Sequence, residues 1–539
     1  MRALRLPREG RGVALLLALA ALLVAAVWFA LSPPWADDLI GGDEGYYGTM
    51  ARNVLASPQQ LVSPSLSPLG PPGDKPPLYP LLLAPFVHVL GAVPAAVRLP
   101  SAVCAVVITA SLGVWLVPVA GVQAGLFVTL LLATLPWFAD ASRGAAAEAP
   151  LTALTLLALV WLAGAPRSRG RALVAGALLG LAFLCKLWLV APAALAAAAL
   201  VAARDRRGAL NLVLLTGAAL AVAGLHLGVV AMVQPADFEH WRYIYLGRSL
   251  TERLQGEGYA EYWLRPPGTY WSIMTRALLV WAAGILLLSA FQVKSGNYVF
   301  VVMPAWAGLA ALGLAEAAAG RMPSLPWLAA GALLTSPLGA VIGADGLQWP
   351  LWAVVWGSAA LVAMTARLFN GWARGLAMAC ALIALLLGAG RSAQRVSARF
   401  HTPGYQDVAT LVAPRLAAVD PATPCMVVPE APVFDFHLFR TALYWATPGK
   451  PWNAVRLEQV QRDTLLRVFV VDTTRTFHGG WPDDATLAWL ERDLREITSE
   501  LPASPEPRPL RVFVREPGRP SAAIPVPAAP DSTGPAGTP

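Results

Sequence analysis

Asp43 and Glu44 stand side by side in GDEGYYGTMARN (42–53), Asp74 and Lys75 follow in GDKPPLY (73–79), and Glu148 heads the apolar run EAPLTALTLL. A carboxylate can take the proton from a hydroxyl or amine as it attacks, and paired carboxylates can hold a divalent cation such as Mg, Mn or Zn through oxygen. A lysine ammonium is a compact charge suited to neutralising a phosphate as it leaves. Acids and a lysine beside long apolar runs therefore suit transfer of a group from a lipid phosphate. For Glu148 a structural reading stands beside the functional one, because a carboxylate at a helix N-terminus also answers the helix dipole.

The lysines are informative because they are few: four among the 40 basic residues, the other 36 being arginine. Lys75 lies in the first loop, Lys186 interrupts LGLAFLCKLWLVAP, and Lys294 sits in FQVKSGNYVFVVMP at the edge of an apolar run. A charge inside a span either serves a site or snorkels to the interface, and for Lys186 and Lys294 the sequence leaves both open.

These groups need a membrane scaffold to position them. Of the 539 residues 57% are hydrophobic and 13% charged, against about 25% charge in soluble domains; the mean hydropathy is +0.57. The net charge of +8 does not point to nucleic acid, since the arginines cluster between apolar runs, where they orient helices to the cytoplasm. MRALRLPREGR leads into residues 12–31, an expected uncleaved anchor, and residues 32–96 form a long outer loop. Further apolar runs at 97–117, 122–139, 150–165, 172–187, 189–203, 209–233, 273–292, 298–319, 324–343, 348–367 and 373–390 bring the expectation to about 12–13 spans. PRSRGR (166–171) and RDRRG (204–208) mark cytoplasmic turns, which puts the segments near 140–149 and 234–272 on the outer face. LYPLLLAPFVHVLGA (78–92) is short and broken by proline, and reads as a helix lying in the outer interface.

From 395 the composition turns soluble. CMVVPE, RVFVVD and RVFVRE read as strands and DDATLAWLERDLREI as a helix, giving a small α/β domain over 395–516; 517–539 is a Pro/Ala-rich tail. Three of the four cysteines, Cys104, Cys185 and Cys380, fall in apolar runs, and the six histidines are scattered with no HExxH. Neither a disulfide framework nor a histidine-built zinc site is expected. Asp435 and His437 in VFDFHLF read as domain packing or surface.

At its charged residues the chain resembles the C class of membrane glycosyltransferases, in the branch with bacterial lipid A aminoarabinose transferases and protein O-mannosyltransferases. The matching stretches are DE-x-x-Y-x-x-x-A-R-N (Asp43, Glu44, Tyr47, Ala51, Arg52, Asn53), D-K-P-P-L-Y (Asp74 to Tyr79) and V-R-L-P-S-A (Val97 to Ala102). E-A-P-L-T, L-A-F-L-x-K (ending at Lys186) and K-x-x-x-Y-x-x-x-x-x-P (Lys294, Tyr298, Pro304) follow in order. The resemblance implies a mostly α, polytopic bundle of this class with the domain 1–394 as its catalytic part. It implies a polyprenyl-phosphate-linked sugar as donor and inversion at the anomeric carbon. The acceptor would be a lipid, glycan or protein, at the outer face of a bacterial inner membrane.

Carried over by position, Asp43 is the expected base, Lys75 and Arg52 the phosphate-binding cations, and Asp74, Glu44 and Glu148 the further acids or metal ligands. Tyr47, Tyr79, Lys186, Lys294 and Tyr298 complete the candidates. Tyr46 departs from the pattern: some lipid A transferases have arginine three residues after the catalytic aspartate. Donor-phosphate binding then rests on Lys75 or on Arg143, Arg242 or Arg248. A transporter or lipid flippase is the alternative, but it predicts paired charges within several spans, whereas most acids here lie in outer loops.

Overall fold

The computed structural model describes residues 43–55, 57–66, 72–73, 75–134, 138, 142, 144–164, 168–201, 206–252, 303–305, 307–313, 407, 411, 425–426, 452–453, 468–472, 484–502 and 510–514. The expected anchor 12–31, the spans from 273 on other than 303–313, Asp435, His437 and the tail lie outside these. The chain divides into two units, Met1–Asp37 with Tyr47–His401, and Asp38–Tyr46 with Thr402–Pro539.

In the first unit the helices are α1 (Asp43–Val54, whose first turn falls in the second unit), α2 (Pro58–Val62), α3 (Leu78–Leu90), α4 (Pro94–Ala120), α5 (Val122–Thr134), α6 (Glu148–Gly164), α7 (Arg169–Lys186), α8 (Ala191–Val201) and α9 (Arg206–Val233). After α9 come a 3-10 turn at Pro235–Asp237, α10 (Phe238–Arg242) and a π-helix (Tyr243–Glu252). A further apolar helix, α11, covers Met303–Gly313. Three stretches, Pro94–Val117, Arg169–Val201 and Arg207–Val233, are long and apolar enough to cross a membrane. The protein is an integral membrane protein.

The turn expected at PRSRGR is built by its own residues. Ser168 caps α7 by accepting from the Arg171 N–H, as N-cap serines do. The Arg171 guanidinium lies 4.9 Å over the Trp161 ring and donates to the Trp161 carbonyl. α3 forms where the interfacial helix was expected. It buries Tyr79, Leu83, Ala84 and Val87 and leaves Leu82, Val89 and Leu90 exposed, and its 13 residues rise about 20 Å, short of a span.

α7 packs on both α6 and α9. Its glycines admit the neighbouring backbone: a Cβ on Gly176 would lie 2.2 Å from the Leu215 carbonyl oxygen, and one on Gly180 2.6 Å from that of Ala219. Close approach of helices through small residues is the usual device where lipid supplies no hydrophobic drive. The contact advances along both helices in the same direction, so α7 and α9 are parallel, and the chain between them must turn back. The α-helix breaks at Lys186, with φ −152°, and Leu187, with φ +52°. A non-glycine residue there is strained, and only surrounding packing holds it.

In the second unit β3 (Val468–Asp472), β4 (Arg495–Glu496) and β5 (Leu510–Val514) form an antiparallel sheet in the order β3-β5-β4. β1 (Cys425–Met426) and β2 (Trp452–Asn453) pair in parallel, and α12 (Asp484–Asp493) precedes β4. Strands thus occur in all three segments read as strands, with the helix in the expected place.

Candidate active site

α1 carries its acids, Asp43 and Glu44, in the first turn and Arg52 in the last, each at the end the helix dipole favours. Asp43 is partly exposed, whereas Glu44, Tyr46, Tyr47 and Asn53 are buried. Burial pushes the Arg52 guanidinium down to about 10, so it remains a cation at neutral pH. Asn53 donates its amide to the Ser65 carbonyl at 3.0 Å, and Gln60 exchanges hydrogen bonds with Ser65 through both ends of its amide. The Gly73 N–H donates to the Pro64 carbonyl at 2.8 Å. Lys75, partly buried, follows two residues later.

Three of the motifs meet at one hydroxyl. Tyr79, from DKPPLY, places its phenol 2.7 Å from Ser101 Oγ, from VRLPSA, and the same Oγ accepts the N–H of Ala146, just before EAPLT, at 3.3 Å. Tyr47, from the first motif, lies edge-on to Tyr79 with ring centroids 4.7 Å apart. All four residues are buried. Tyr79 through its hydroxyl, and Tyr47 through its ring, thus hold the first loop to the segment that leads into α6.

That scaffold delivers Glu148 to Lys186. Lys186 Nζ lies 2.5 Å from Glu148 Oε1, with Glu148 fully buried and the Lys186 side chain 13% exposed. Lys186 therefore does not snorkel; its ammonium lies in a largely buried ion pair. The second carboxylate oxygen, Oε2, has no hydrogen-bond partner among the described residues, nor has Thr152 Oγ1 one turn along α6. Among the described residues no group of three His, Cys, Asp or Glu stands together as a metal set.

Beside the pair lies a node of rings. His226 Nε2 is 2.7 Å from the Val62 carbonyl and its Nδ1 2.7 Å from the Tyr245 hydroxyl. Trp241 donates to Ser63 Oγ at 2.9 Å, His240 Nε2 is 3.0 Å from the Gly73 carbonyl, and Trp188 donates to the Tyr245 carbonyl at 2.8 Å. Leu184, Leu187 and Val230 pack into the same cluster. None of these residues was a sequence candidate. The one available signal was His226 itself, a lone imidazole inside an apolar run, which the scattered spacing of the histidines concealed.

Arg242 is not brought to this place; it is exposed and paired with Glu239 at 2.6 Å, three residues away on its own helix. The fallback for phosphate that the sequence offered there is a surface ion pair. Asp74, Arg143, Lys294, Tyr298 and the Arg248 side chain lie outside the described residues.

Residues 74–228 match the family model described as dolichyl-phosphate-mannose-protein mannosyltransferase. Among solved structures, ArnT from Cupriavidus metallidurans bound to undecaprenyl phosphate superposes with a TM-score of 0.57 at 18% identity, covering 92% of this chain and 97% of that one. Its apo state gives 0.56 at 19% identity with the same coverage. No curated protein sequence matches. The chain has the fold of the C class of membrane glycosyltransferases, as the motifs implied.

Proposed function

We propose that the protein transfers one sugar from a polyprenyl-phosphate donor to a hydroxyl or amine of a lipid, glycan or protein acceptor, at the outer face of a bacterial inner membrane. One observation carries this reading. The segment matched by the mannosyltransferase family model, 74–228, is the one that holds Lys75, Tyr79, Ser101, Glu148, Lys186 and His226. The solved protein of the same fold holds undecaprenyl phosphate, a donor product of the proposed class.

In the proposed reaction the acceptor oxygen or nitrogen attacks the anomeric carbon from the face opposite the phosphate. A new bond to the acceptor forms, the bond from carbon to phosphate oxygen breaks, and polyprenyl phosphate leaves with the electron pair. Asp43 takes the acceptor's proton, the role of a carboxylate base. Lys75 and Arg52 supply the positive charge that the leaving phosphate requires. Asp74, Glu44 and Glu148 are the carboxylates from which a divalent cation would draw its oxygen ligands.

The test is transfer from a panel of undecaprenyl-phosphate pentoses and hexoses by the purified full-length protein in nanodiscs, beside mass spectrometry of envelope lipids and glycoproteins from cells with and without it. A single-sugar mass difference that vanishes with Asp43→Asn supports the proposal. Full transfer by that variant ends the assignment of Asp43, and binding of the donors without any transfer ends the assignment of an enzyme.

A further inference from the structure

The bonds of the ring node have a fixed direction. A carbonyl only accepts, so His226 Nε2 carries a proton and donates to Val62; in the neutral imidazole Nδ1 is then the acceptor, and the Tyr245 hydroxyl donates to it. Trp188 in turn donates to the Tyr245 carbonyl. The series runs Trp188 to Tyr245, to His226, to Val62, from the turn that follows Lys186 to the first loop. Two further N–H groups reach the same loop, from Trp241 to Ser63 Oγ and from His240 to the Gly73 carbonyl. Among the described residues these three hydrogen bonds reach the loop at Val62, Ser63 and Gly73, and Gly73 is itself tied to Pro64.

Lys75 of the proposed site and Lys186, the partner of Glu148, are therefore both referenced to this node. Lys75 follows Gly73 by two residues. Lys186 precedes Leu187, whose side chain packs in the node beside Trp241 and Tyr245 and whose left-handed φ needs that packing to persist. A π-helix, a rare form that appears mostly as single turns at functional sites, begins at Tyr243 and carries Tyr245.

We propose that the node of His226, Tyr245 and Trp241 is a positioning device that sets Lys75 and Lys186 relative to one another, and so shapes the place where the donor phosphate is held. The three residues act through the lysines. This rests on the phosphate role given to Lys75 above, and the readouts separate the two ideas.

The experiment uses the full-length protein in nanodiscs with undecaprenyl phosphate as probe, and compares His226→Leu, His226→Gln, Tyr245→Phe and Trp241→Phe. Hydrogen exchange of the peptide covering 61–78 reads the clamp without any ligand, and Tyr245→Phe and His226→Leu are expected to expose it. Both are expected to weaken undecaprenyl phosphate binding by about tenfold, the size of one lost buried hydrogen bond at the upper end. His226→Gln, whose amide offers both a donor for Val62 and an acceptor for Tyr245, is expected to restore most of it. The decisive arm is the double variant: if the node works through Lys75, His226→Leu added to Lys75→Met costs nothing further.

Unchanged exchange in His226→Leu, or additive losses in the double variant, overturns the proposal. Should His226→Leu fail to fold, Trp241→Phe removes a single N–H and carries the same comparison. Wild-type binding by Lys75→Met would instead overturn the phosphate role of that lysine, with the exchange data still deciding whether the clamp exists.

Discussion

Glu148, the first residue of α6, and Lys186, the last of α7, close a 2.5 Å ion pair at the end of the bundle where one helix begins and the next stops. Each charge sits at the helix end whose dipole favours it, and the pair is neutral as a unit. Breaking a buried pair leaves one charge uncompensated, which costs about 3–5 kcal/mol. Lys186→Met is therefore expected to lower the unfolding temperature in detergent sharply, and Glu148→Gln added to it to recover much of the loss. A Lys186→Met protein as stable as wild type would show that the lysine's charge is answered elsewhere.

Ser101 is the junction of three motifs, and its replacement tests whether they form one scaffold. Ser101→Ala removes the acceptor of the Ala146 N–H and the partner of Tyr79, so it leaves buried groups unpaired at a cost of roughly 1–3 kcal/mol. Tyr79→Phe removes one hydroxyl and is expected to cost about 1 kcal/mol. Because both touch the same bond, the double variant should fall short of the sum of the singles. Thermal unfolding of the four proteins decides it, and strict additivity would mean that the bond contributes nothing.

The helices at 94–120, 148–164 and 206–233 and the strands at 468–472 and 510–514 were legible, because apolar runs and β-branched alternation are local signals. The pairing of Glu148 with Lys186 was not, since 38 residues separate them and their meeting depends on the opposed directions of two helices. The break at Leu187 was hidden for another reason. No glycine or proline announces it, and a leucine takes the positive φ only because tertiary packing imposes it. Ser101 and His226 each stand alone in an apolar context, where a single polar side chain has no periodicity to betray its partner.

The tight face of α7 makes a prediction by contrast. Gly176→Ala would drive a Cβ into the Leu215 backbone carbonyl, which cannot move as a side-chain tip can. Overpacking of this kind costs about 1–3 kcal/mol. Gly217 in α9 has open space around the same atom, and Gly217→Ala should be neutral or gain up to about 1 kcal/mol from helix propensity. Unfolding temperatures that move alike in the two variants would remove the close contact between α7 and α9.

Asp43 and Lys75 should fail in different ways, and the difference separates a base from a phosphate contact. Proton transfer by a positioned carboxylate contributes roughly 100- to 10,000-fold, so Asp43→Asn is expected to lose kcat by that order while undecaprenyl phosphate still binds. Glu44→Gln, a buried acid in the same helical turn, should lose far less if the proton goes to Asp43. Lys75→Met removes charge from the leaving phosphate and is expected to lose both kcat and binding, with Lys75→Arg restoring binding in part, because a guanidinium keeps the charge but not the compact geometry. The measurement is transfer at varied donor concentration together with equilibrium binding of undecaprenyl phosphate. If Asp43→Asn loses binding and Lys75→Met keeps it, both assignments fall.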